Sequence, residues 1–120
     1  MTNVIVEMRL GSNDLALIEQ KCGCDTNIMQ EIDVAKKGKA NEDRGFDRET
    51  FLKAEEADLV RALGELRFER FEVIAINVKV LPFYYAARVQ LITSRGSYFV
   101  YLVKVNNHRW RSVALRRFVI

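Results

Sequence analysis

The sequence holds one proline, two cysteines, one histidine and six glycines in 120 residues. One proline and scattered glycines exclude a collagenous or proline-rich chain, and two cysteines cannot staple a chain of this length into a disulfide scaffold. The glycines, at positions 11, 23, 38, 45, 64 and 96, stand too far apart to form a phosphate-cradling loop. There is no serine-centred nucleophile elbow and no pair of histidines at helical spacing. No apolar run approaches the roughly 18 residues that a membrane span needs. The last absence is positional: no acidic residue follows Glu72.

With 49% hydrophobic and 29% charged residues the composition is that of a single globular domain with a real core. Charge is unevenly spread. Residues 1–72 carry all sixteen acids against eleven Lys and Arg, a balance of −5. Residues 73–120 carry Lys79, Arg88, Arg95, Lys104, Arg109, Arg111, Arg116 and Arg117 and no acid, a balance of +8. Such asymmetry points either to an anionic partner or to acidic helices that pack beside a basic sheet and neutralise it. At the N-terminus no basic segment precedes the apolar stretch 4–10, and Glu7 and Arg9 interrupt it, unlike a signal peptide. The expectation is a cytoplasmic protein with reduced thiols and no membrane contact.

The apolar pattern predicts a strand over 4–10, broken by Gly11, then a short helix over 14–22 capped by Ser12 or Asn13. Gly23 is the expected stop, and Thr26 the expected cap of a second short helix ending at Gly38. Residues 39–46 are polar and predict a mobile loop. Asp47 reads as the cap of a longer helix reaching Leu66, with Leu52, Leu59, Leu63 and Leu66 inward and Lys53, Glu56, Arg61 and Glu65 outward. Four strands follow, over 71–81, 83–93, 97–105 and 109–119, separated by Pro82, Ser94-Arg95-Gly96 and Asn106-Asn107. The fold class is α+β: an N-terminal strand, two short helices, and one longer helix packed on a four-stranded antiparallel meander. The strand over 97–105 is apolar on both faces. One face suits the long helix; the other needs either the short helices or a partner subunit.

One long helix followed by such a meander, closed by Asn106-Asn107-His108-Arg109-Trp110-Arg111-Ser112-Val113-Ala114-Leu115, resembles the cystatin-like and nuclear transport factor two-like fold group over residues 47–120. In that group a turn leads to a Trp, a basic residue and an alternating last strand. The resemblance implies a cone of sheet and helix. Some members use the cone as an enzyme pocket with an Asp or His as general base; others only bind partners or dimerise.

Here the chain after Glu72 has no carboxylate and a single His, His108, in a turn. Catalysis in a cone would therefore need an inward-facing acid from the helices, such as Asp58. No catalytic residue, metal or cofactor is assigned. Cys22-Gly23-Cys24 offers one pair of ligands where structural zinc needs four, so the plain reading buries Cys22 on its helix face. Two binding readings remain. A non-catalytic interaction module, homodimeric through the sheet, would use Tyr85, Tyr98, Tyr101 and Trp110 as pocket or interface residues. A nucleic-acid-binding protein would use Arg88, Arg109, Arg111, Arg116 and Arg117 for phosphates, with tyrosines or Trp110 stacking on bases. A small-molecule enzyme with a cone pocket is the third.

Overall fold

The structure, a computed structural model, describes residues 4–38, 48–106 and 108–118. In chain order these form β1 (Ile5–Glu7), α1 (Ser12–Cys24), α2 (Thr26–Lys36), α3 (Arg48–Gly64), β2 (Phe71–Val80), β3 (Tyr84–Thr93), β4 (Gly96–Val105) and β5 (Arg111–Phe118). The polar stretch 39–46 and the expected cap Asp47 lie outside the described residues.

The α+β class holds, and β2 to β5 make the expected antiparallel meander. The correction concerns β1, which joins the same sheet as a fifth strand, parallel to β2 with Ile5 opposite Ala75. The strand boundaries follow the turn chemistry. Pro82 separates β2 from β3, Gly96 adopts a φ of 127° that L-residues rarely reach, and Asn106 takes a left-handed φ of 50°. Two bulges interrupt the ladder, at Ile74 and at Val113. The second shifts β5 by one residue midway, so its side chains do not keep the simple alternation that its sequence suggests.

Helices cover both faces of the sheet. On the first face, Phe51, Leu59, Ala62 and Leu63 of α3 pack on Ile76, Val78, Ala87, Val89, Leu91, Val100 and Leu102, with Val6 and Trp110 completing the core. On the second face, Ile18 and Cys22 of α1 and Ile28, Ile32 and Ala35 of α2 pack on Ala86, Tyr101, Val103 and Val105. The doubly apolar strand β4 is thus explained by two separate cores. The short helices also correct their expected ends. α1 runs through Gly23 to Cys24, and Asp25, not Thr26, caps α2 by accepting from the Asn27 and Ile28 N–H groups at 3.0 and 3.1 Å.

Candidate functional site

Each helix is tied to the basic sheet by one ion pair. Asp14 of α1 accepts from Arg88 at 2.6 Å, Glu31 of α2 pairs with Arg111, and Glu55 of α3 accepts from Lys104 at 2.8 and 2.9 Å. Three of the eight basic residues after Glu72 are thereby neutralised within the fold. Asp14 also accepts from the Tyr101 hydroxyl at 3.0 Å, and burial together with this bond pushes the Tyr101 phenol above its ordinary value.

The densest polar cluster sits where α3 meets the β4–β5 turn. Glu55, Asp58 and Arg61 recur every three residues on α3, and all three grip Trp110. Its indole N–H donates to Glu55 at 2.8 Å, its backbone N–H donates to Asp58 at 2.7 Å, and its carbonyl accepts from Arg61 at 2.7 Å. Arg61 also donates to Asp58 and Glu65. Burial alone would raise the Asp58 carboxyl, but the Arg61 and Trp110 hydrogen bonds outweigh it and hold the group below the usual carboxylate range. Tyr85 stacks beside Trp110 with centroids 6.4 Å apart, and Phe51 meets the indole edge-on at 6.3 Å. Glu55 is the inward-facing acid that a catalytic cone would require. Both of its oxygens are engaged by Lys104 and Trp110, which makes the carboxylate a clamp for the turn.

Beside that turn lies an open cleft bordered by Glu31, Arg61, Glu65, His108, Arg109 and Arg111. His108 is exposed, with Nδ1 3.8 Å from Glu31. Among the described residues no three His, Cys, Asp or Glu side chains gather as metal ligands, and Cys22 (buried) and Cys24 (exposed) are free thiols.

The far half of the second face is uncovered. Strand register places Ile5, Ala75, Gln90, Phe99 and Arg116 in one row across it, with Glu72, Ile92, Ser97 and Phe118 in the next. Phe99 and Phe118 stack at 4.3 Å, and the Arg88 guanidinium lies 4.7 Å over Phe99. Ile5 and Ile92 are 55% and 42% exposed. On the opposite face, past the end of α3, a small pocket forms between the α3–β2 connection and the β3–β4 hairpin, with Phe68 and Tyr98 in contact at 5.2 Å.

The structure therefore disperses the residues expected to act together. Trp110 and Tyr101 are fully buried in different cores, Tyr85 flanks Trp110, and Tyr98 lines the hairpin-end pocket. Of the arginines, Arg88 and Arg111 are held by helix acids, Arg109 borders the His108 cleft, and Arg116 and Arg117 are exposed on β5. Sequence reasoning overlooked Glu55, although it stands between Phe51 and Leu59 at helical spacing within the apolar stripe. It also overlooked the Phe99–Phe118 pair, which becomes visible only through the register of β4 and β5. No protein-family model, curated protein or solved structure matches the chain. Among the described residues no helix is long and apolar enough to cross a membrane.

Proposed function

We propose that the protein is a non-catalytic interaction module that pairs with a second copy of itself through the uncovered half of the second sheet face. The observation that carries this reading is the strip of Ile5, Ile92, Phe99 and Phe118. Half-buried Phe99 and Phe118 stack on each other, and exposed Ile5 and Ile92 share their face across Gln90 and Ser97; apolar groups gathered on one face are costly to leave in water. The charges at its ends favour self-association. Glu72 and Glu7 lie toward the β1–β2 edge and Arg116 lies on β5, all on the same face. A two-fold axis through the middle of the strip brings each acidic end over the partner's Arg116, as an isologous interface requires.

At the usual strand spacing the strip is about 20 Å long and only two side-chain rows, about 7 Å apart, deep, an area well short of the roughly 800 Å² per partner of a standard interface. The dimer is accordingly weak and dissociates on dilution. Light scattering coupled to size exclusion, over a concentration series reaching about 1 mM (where complexes near the weak end of the affinity scale form), is expected to show monomer passing to dimer. Ile92→Arg, at an exposed position, abolishes the dimer while leaving the circular dichroism unchanged. A monomer at every concentration, or a dimer indifferent to Ile92→Arg and Phe99→Arg, overturns the reading.

A further inference from the structure

We infer that the hairpin-end pocket on the first sheet face is a nucleotide site, separate from the dimer strip. Two features support this. The first is composition. Phe68 and Tyr98 offer aromatic surface, and Arg67, Arg95, Ser94 and Glu69 share the lining with them. Arg117, opposite Tyr98 on β5, bends back over the hairpin so that its guanidinium lies 3.2–3.6 Å from where a Gly96 Cβ would sit. Aromatic faces stack on bases irrespective of sequence, and the planar guanidinium is the donor best matched to phosphate oxygens. Arg67, Arg95 and Arg117 are all exposed, and none makes an ion pair among the described residues. Glu69 is the acid of the lining and suits an exocyclic amino group, so adenine and cytosine fit better than uracil. The pocket holds about 180 Å³, smaller than a drug-sized site and suited to one ring with its phosphate outside among the arginines.

The second feature is the backbone of Arg67. It closes the C-terminal end of α3, its N–H donating to the Gly64 carbonyl at 3.1 Å, with φ at 58°. Glycine is the usual residue in that left-handed position because a Cβ is strained there. An arginine at this place costs stability, and its guanidinium lines the pocket. Strain kept at a binding surface is the pattern expected where the side chain serves a ligand.

The test follows from that conflict. Isothermal titration of the full chain at low salt with adenosine 5′-monophosphate should give saturable binding, with adenosine and inorganic phosphate each at least about tenfold weaker, since each keeps only one of the two contacts. Arg67→Gly is expected to raise the urea midpoint and at the same time weaken the nucleotide severalfold, an outcome that a purely structural role for Arg67 does not produce. Tyr98→Leu should cost about tenfold, and Arg95→Gln, at the exposed hairpin tip, should weaken binding without touching the fold. A short oligoadenylate that saturates the site more tightly than the mononucleotide marks a single strand as the natural source; no gain marks the free nucleotide. Ile92→Arg retains the site, so loss of the dimer and loss of nucleotide binding are read separately. Absence of saturable binding, phosphate binding as tightly as the nucleotide, or Arg67→Gly leaving the affinity unchanged overturns the assignment.

Discussion

The carboxylate of Glu55 faces an ammonium and an indole N–H in a space closed off from water, and the value of such an arrangement depends on keeping it whole. Glu55→Ala leaves Lys104 and Trp110 Nε1 without their acceptor and is expected to cost about 3–5 kcal/mol, read as a shift in the urea midpoint by the fluorescence of the single tryptophan. Glu55→Leu combined with Lys104→Met removes both charges together and should cost less than Glu55→Ala alone, because no buried charge is stranded. The thiols separate in the same way by environment. A maleimide at neutral pH should modify exposed Cys24 quickly and Cys22 only on unfolding. Burial pushes the Cys22 thiol from 9.0 up to about 11, and the Tyr84 phenol from 10.0 up to about 12. The unfolded chain loses these protons first, so the stability they represent is complete below about pH 9 and drains away as the pH rises toward 12. Urea midpoints across that window should fall, and Cys22→Ala should flatten the lower part of the fall.

At the scale of elements, the Asp25 cap governs how firmly α2 sits on the sheet. Asp25→Ala leaves two N–H groups of its first turn without their acceptor, with an expected loss of about 1 kcal/mol, checked by thermal unfolding. Much of this level is legible in the residues themselves. Pro82, Gly96 and Asn106 punctuate the meander through their own backbone preferences, so the strands are readable to within one or two positions. The apolar periods of α1 and α2 likewise identify Ile18, Cys22, Ile28 and Ile32 as inward. Other features leave no local trace. The pairing of β1 with β2 joins residues distant in sequence, and the extra residue at Val113 defeats the period-two reading of β5. The site is less legible than the fold for a related reason. An aromatic on a strand looks the same in sequence whether it fills a core, as Tyr101 and Trp110 do, or borders a pocket, as Tyr98 does. Which of these holds depends on how far α1, α2 and α3 extend over each face.

For the whole molecule, the uneven charge of the sequence becomes an assembly rule: the acidic helices and the basic sheet meet through Asp14–Arg88, Glu31–Arg111 and Glu55–Lys104, one pair for each helix. Of the basic residues left over, Arg95, Arg116 and Arg117 lie toward the far end of the sheet, where both proposed surfaces lie, and Lys79 and Arg109 toward the other end. The five-stranded order carries a consequence for how the chain reaches this state. Strands β2 to β5 pair with their neighbours in sequence through short turns, and each such contact closes only a small loop. The three-residue β1 must wait, because its partner is made after all three helices. The amino-terminal strand should therefore dock last and open first. In native-state hydrogen exchange the Val6 region should exchange through a local opening well below the free energy of global unfolding, while the amides of β3 and β4 exchange only when the whole molecule unfolds.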